Sequence, residues 1–174
     1  MPTTSPNDQN LFQGSKYSLN FDRLPYIQFF VTSVNIPGMS THDVSQDTPF
    51  RNAPTPGNKM EYDALAIEFL VDEQLRSWSS IRDWMSGIAF PESFDQYKAL
   101  SLQTRIQTFG GKPQYSDASL TIYSNKNNAI LKLAFSDVFP TILSGIQLST
   151  ADTALEVKKA SAQFKFLNYD IIRP

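Results

Sequence analysis

The sequence predicts a mainly β protein: two antiparallel sheets packed as a sandwich or barrel, with one flanking α-helix. Three observations carry that prediction. Seven or eight short runs alternate apolar and polar residues with a period of two, the pattern of a half-buried strand. One stretch, residues 73–87, switches to helical spacing. Turn signals such as Pro37-Gly38 and Asn125-Lys126-Asn127-Asn128 separate the runs.

Residues 1–14 hold Pro2, Pro6, Asn7, Asp8, Asn10 and Gly14 with little periodicity, and read as a flexible N-terminal arm ahead of a single domain over 15–174. Tyr17, Leu19 and Phe21 then alternate with Ser18, Asn20 and Asp22 as a first strand. Pro25 interrupts it, because proline cannot donate to a ladder. Ile27–Ile36 reads as a second strand, apolar on both faces and therefore central, with Phe29 and Val31 on one face and Phe30, Val34 and Ile36 on the other.

Residues 39–63 are poor in apolar side chains and contain Pro49, Pro54, Pro56 and Gly57. A connection this long inside a small domain is usually functional. It is expected to be an extended loop or hairpin, with arms near 43–51 and 59–65 and with Pro54-Thr55-Pro56-Gly57 at its tip.

Ala64–Val71 is a strand by alternation, Leu65, Ile67, Phe69 and Val71 lying on one face. Asp72 is a suitable N-cap for the helix that follows, and Glu73 complements its dipole. Leu75, Trp78, Ile81, Met85 and Ile88 form the helix stripe with Trp84 beside it, and Pro91 prevents continuation. Phe69, Leu75, Trp78, Ile81 and Trp84 are the expected packing anchors.

Residues 92–99 carry no clear period. Leu100–Thr108 reads as a strand ending at Gly110-Gly111. Ala118–Ser124 and Ala129–Phe135 form a hairpin, and Phe139-Pro140 marks a corner. Leu143–Ser149 and Ala160–Ile171 supply the last two strands, the latter with Ala162, Phe164 and Phe166 on one face.

Composition restricts the chemistry. The chain has 174 residues, a formal net charge of -2 and no cysteine, so disulfides, thiolate metal sites and a cysteine nucleophile are excluded. A dedicated nucleic-acid binder carries a basic excess that is missing here. No apolar run approaches the roughly 20 residues of a membrane span, and Met1 to Asn10 lacks the apolar core of a signal peptide. His42 is the single histidine, and no serine or carboxylate constellation surrounds it in sequence. Gly110-Gly111-Lys112-Pro113 lacks the spacing of a phosphate-binding loop. Asp72-Glu73 is explained by helix capping. No catalytic, cofactor-binding or metal-binding set is legible, and the expectation is a protein that is not an enzyme and needs no cofactor. Ser, Thr, Asn and Gln number 52 against 32 charged residues, a polar but uncharged surface compatible with subunit contacts.

Four blocks in order carry a family resemblance. The first is Tyr17–Arg23 leading into Phe29-Phe30-Val31-Thr32-Ser33-Val34-Asn35-Ile36-Pro37-Gly38. Next comes Leu65–Glu73 running into Trp78 and Ile81-Arg82-Asp83-Trp84-Met85. Ser116–Tyr123, Phe135–Thr141 and Leu143–Leu148 form the third, and the strand through Phe164 and Phe166 is the last. Over roughly residues 15–174 this order resembles the tail tube proteins of contractile-tailed, T-even-like bacteriophages and their baseplate tube-initiator relatives.

The resemblance implies the phage tail-tube fold and a mechanical role in the virion tail. Six copies close a ring, and stacked rings form a hollow conduit for genomic DNA, which passes without specific binding. The implied partners are further copies of the chain, the contractile sheath, and baseplate and tail terminator proteins; the chain would be made in the host cytoplasm. Pro49, Phe50, Pro54, Thr55, Pro56 and Gly57 are the candidate inter-subunit contacts. Two alternatives stay open: an initiator ring of the same fold, and a monomeric β-sandwich binding module using Trp78, Trp84 and the tyrosines as a stacking platform.

Overall fold

A computed structural model describes Phe12 and residues 14–47, 50–103, 113–149 and 157–173. The strands are β1 (Tyr17–Phe21), β2 (Val31–Val34), β3 (Met39–Asp47), β4 (Asn52–Tyr62), β5 (Leu65–Leu70), β6 (Ser116–Tyr123), β7 (Ala129–Leu143), β8 (Lys159–Lys165) and β9 (Asn168–Ile172). Two helices, α1 (Arg76–Ala89) and α2 (Phe94–Gln103), lie between β5 and β6, and a short 3-10 turn covers Ile27–Phe29.

All pairing is antiparallel among the described residues. One sheet runs β1-β6-β7-β9 and the other β7-β8-β5-β2, so β7 belongs to both. The hinge is Asp137, whose φ of 53° is left-handed. Aspartate tolerates that conformation better than a bulky residue. Before the hinge Ser136 faces Asn168 on β9; after it Phe139 faces Lys165 on β8. The chain also breaks between β8 and β9 at Phe166-Leu167, where the Leu167 N–H donates to the Ser136 carbonyl at 3.0 Å. Both partners therefore turn the corner together. Among the described residues the sheets do not close into a barrel.

The core fills the space between the sheets. Large residues face small ones across the ladders: Phe69 opposite Ala160, Ile67 opposite Ala162, and Phe21 opposite Ala118. Aromatic rings fill the gap, with Phe21 of β1 4.8 Å from Phe164 of β8 in the other sheet, and Phe135 5.0 Å from Phe166 at the corner between β8 and β9, measured between centroids. Helix α1 seats Ile81 and Trp84 on this core.

Several expected elements differ. The second strand shortens to β2, because the turn after Pro25 continues into a 3-10 turn in which Phe30 N–H donates to the Ile27 carbonyl at 3.0 Å. Ile27 is buried there while Phe29 is 76% exposed, so Phe29 does not share a buried face with Val31. Helix α1 starts three residues later than expected, since Leu75 adopts a left-handed φ of 55°. Asp72 is therefore not the N-cap, a position Leu75 takes without a side-chain bond. The Asp72 carboxylate still reaches the first turn and accepts the Ser77 backbone N–H at 3.0 Å and the Ser77 hydroxyl at 2.8 Å.

A second helix replaces the start of the expected strand at 100–108; residues 104–108 of that strand lie outside the described residues. Its seat is narrow. Gly87 of α1 lies so close to Leu100 that an added Cβ would come within 2.9 Å of it. The expected strand over 143–149 is instead the end of β7 and an irregular segment, and the corner falls at Asp137 rather than Phe139-Pro140.

Candidate assembly surface

The excursion at 39–63 is a two-stranded ribbon, β3 and β4, that pairs with neither sheet. Its register runs from Met39 opposite Tyr62 to Asp47 opposite Asn52, so its tip lies beyond the Asp47–Asn52 pair. Pro54-Thr55-Pro56-Gly57 is therefore not the tip. Pro54 sits opposite Ser45, Thr55 opposite Val44, and Pro56 opposite Asp43, all inside β4. Prolines survive there because a ribbon has two outer edges, where no donor is required of them. Phe50 lies beyond that last pair and is 96% exposed, while Pro49 lies outside the described residues.

Between Asp43 and Thr41 the ribbon is irregular: β4 passes from Pro56 to Met60 while β3 advances two residues. A bulge of this kind bends and twists a ribbon. Gly57 fits because its backbone lies against the His42 carbonyl, where any Cβ would collide. Nearby, His42 Nε2 lies 3.9 Å from Glu61, both side chains exposed, an arrangement with little energetic weight.

Among the described residues the contacts between the ribbon and the two sheets lie at its root. Asp63 N–H donates to the Gly38 carbonyl at 3.0 Å, and the Tyr62 hydroxyl lies 2.9 Å from Asn168 Oδ1. The Tyr62 ring packs at 5.5 Å from Phe166 and 5.4 Å from Tyr169. Beyond the root every residue of β3 is exposed, including Met39 and Val44, and Met60 on β4 is exposed as well. An isolated two-stranded hairpin is marginally stable in water, so a ribbon of this length gains by packing on something outside its own subunit.

The other singled-out residues fall on α1 and β5. Phe69, Ile81 and Trp84 are buried. Trp78 is half-buried and donates its indole N–H to the Ser144 carbonyl at 2.9 Å. Leu75 is the exception: its left-handed backbone turns it away from the stripe, leaving it 46% exposed. Trp84 donates to the Gln114 carbonyl at 3.0 Å and lies beneath the Arg23 guanidinium at 5.3 Å. Arg23 also donates to the carbonyls of Pro113 and Leu100, and its burial disfavours the charged form, lowering its pKa. Both indoles are engaged in packing, which leaves no open stacking platform of the two.

Sequence reasoning missed a second exposed apolar group. Phe90, Phe94 and Tyr97 cluster at the α1–α2 corner with centroids 5.6 to 6.2 Å apart, and Phe90 has a left-handed φ of 34°. The available signal was three aromatics in eight residues around Pro91, placed in a stretch without periodicity. Among the described residues no group of histidines and carboxylates could hold a metal ion, and no helix is long and apolar enough to cross a membrane.

Comparison with known proteins gives this geometry a context. A family model described as phage tail tube protein matches residues 4–172. A tail tube terminator protein of Enterobacteria phage T4 is 29% identical over 123 residues, which is 67% of this chain and 62% of that protein. The chain thus spans under two thirds of the length of that curated relative. Among solved structures, the tube-terminating cap of the anti-feeding prophage superposes with a TM-score of 0.62 at 12% identity, covering 100% of both chains. A chain of the PVC sheath-tube complex, an extracellular contractile injection system in its extended state, gives a TM-score of 0.56 at 9% identity, covering 95% of this chain and 94% of its own. At such identities the likeness is one of fold.

Proposed function

The chain belongs to the phage tail tube protein family, a structural component of contractile tails of the tube or tube-terminator type, and from that premise we propose that six copies close a ring and that rings stack into the conduit for phage DNA. The role is mechanical, with no catalytic step. The sheath would lie outside the tube, with baseplate and terminator proteins at its ends. The observation that carries the reading is the β3–β4 ribbon, which buries almost nothing within its own subunit. Open sheet edges support the same reading, since β1, β2 and β9 each pair on one side only among the described residues and a shared barrel would cover such edges. A net charge of -2 suits a conduit that must release DNA rather than hold it.

The test shortens the ribbon without disturbing its root. Thr41 and Met60 face one another, so replacing residues 42–59 with Asn-Gly joins them through a two-residue hairpin turn. The shortened chain should melt as the full chain does yet fail to form stacked rings in electron micrographs. Normal stacks from the shortened chain would refute the role given to the ribbon.

A second reading is a ring that ends the tube. It is favoured by the match to the T4 terminator and by the end-to-end superposition on the anti-feeding prophage cap. Such a ring would form alone, bind one end of a preformed tube, and not extend.

A further inference from the structure

Proline placement makes the two outer edges of the ribbon unequal. In an antiparallel pair, successive residues direct their N–H and C=O groups alternately toward the partner strand and away from it. A proline held within such a ladder takes an outward position, because it has no N–H to give. Pro54 and Pro56 are both paired within the ribbon, opposite Ser45 and Asp43. Two successive outward positions of β4 thus lack a donor. Opposite them, the same alternation turns the N–H groups of Asp43, Ser45 and Asp47 outward on β3, while Thr55, between the prolines, faces Val44. That inward pairing is reinforced by the Thr55 hydroxyl, which donates to the Val44 carbonyl at 2.6 Å. The bulge at Gly57 further disrupts β4 and leaves the outer half of β3, from Asp43 to Asp47, continuous.

We infer that the ribbon is a one-sided connector: the outer edge of β3 adds to a strand of a second copy of this chain, and Pro54 and Pro56 close the outer edge of β4 to the same event. Proteins blunt unwanted strand edges with proline, and blunting only one edge of an unpartnered ribbon leaves the other as the pairing surface. The occupant is a second copy because the chain belongs to a family of tube subunits, and this inference rests on the ring-stacking reading above. Main-chain pairing at one edge fixes the direction in which the ribbon engages its neighbour, so a stack built this way has a single polarity.

The test is Ser45→Pro, which removes one outward donor of β3 and leaves the ribbon's own ladder intact. Its monomer should melt with the wild type. Its sedimenting, assembled fraction should fall by about tenfold or more, because a carbonyl of the neighbour loses its donor. Pro54→Thr/Pro56→Thr is the complementary variant: it keeps assembly and opens a second edge, so its particles should associate side by side. Ser45→Pro assembling as well as wild type overturns this inference and leaves the ring reading standing. Double-variant particles as dispersed as wild type overturn the blocking role of the prolines. A wild-type chain that stays monomeric at every concentration overturns the ring reading, and this inference with it.

Discussion

Replacing Trp84 probes how α1 is held, and the size of the effect can be worked from its surroundings. Its side chain is 2% exposed, packs 6.1 Å from Phe164 between centroids, donates to the Gln114 carbonyl at 3.0 Å, and lies under Arg23 at 5.3 Å. Truncation to alanine removes the ring and leaves a cavity beside Phe164, a loss of about 3–5 kcal/mol. Phenylalanine retains most of the apolar contact but leaves the Gln114 carbonyl without its donor, for about 1–3 kcal/mol. Arg23→Met combined with Trp84→Leu, which removes the aromatic face, should show a coupling of about 0.5–2 kcal/mol, from the cation held over the ring. The assay is equilibrium denaturation in urea of each single and double variant, with thermal melting alongside. For a chain of this size about 1 kcal/mol moves Tm by about 2–4 °C, so Trp84→Ala should melt about 6–20 °C lower. Trp84→Ala melting within about 2 °C of the wild type would refute the seating of α1 on the core.

Further outcomes follow from local geometry at Asp72, Leu75 and Gly57. Asp72→Ala should destabilise the fold by about 0.5–2 kcal/mol through the lost bonds to the first turn, measured by urea denaturation. The Ser77 backbone N–H is the main cause holding the Asp72 carboxyl below its usual pKa, so the carboxylate's contribution is present above the unfolded value near 3.9 and is lost as pH falls through the folded value; Asp72→Asn should remove that share of the acid-limb loss, as pH-dependent melting would record. Leu75→Gly should stabilise by about 0.5–1 kcal/mol, because glycine adopts the left-handed backbone without the strain a leucine carries; a lower denaturation midpoint would contradict this. Gly57→Val should leave the melting of the isolated subunit close to wild type while impairing assembly by sedimentation, since its side chain meets the His42 carbonyl in the ribbon and touches none of the core.

Much of the architecture was legible because the core strands alternate cleanly. Leu65, Ile67 and Phe69 on β5, and Ala160, Ala162 and Phe164 on β8, are buried on the face their spacing predicts. Helix α1 was legible from Ile81 and Trp84, and the carboxylate that serves its first turn from Asp72, but its N-cap at Leu75 was not. Helix α2 was not, because its rings at Phe94 and Tyr97 stack on one another at the surface and Leu100 is its one described side chain buried in the core. The hinge in β7 was hidden because Asp137 bends the strand without ending it, whereas Pro140, which looks like a terminator, sits within the ladder opposite Phe164. The ribbon's existence could be read from the low apolar content of 39–63, but not its tip. Pro56-Gly57 carries a strong turn signal, and pairing along β3 overrode it with a bulge.

Six-fold ring formation is the central claim, and electron microscopy of the purified full chain across a concentration series, with particle mass measured in parallel, tests it most directly. Six-fold closure gives hollow particles with six subunits per ring, extending into stacks if the chain is the repeated tube subunit and remaining single rings if it ends the tube. A chain that stays monomeric at every concentration would contradict it.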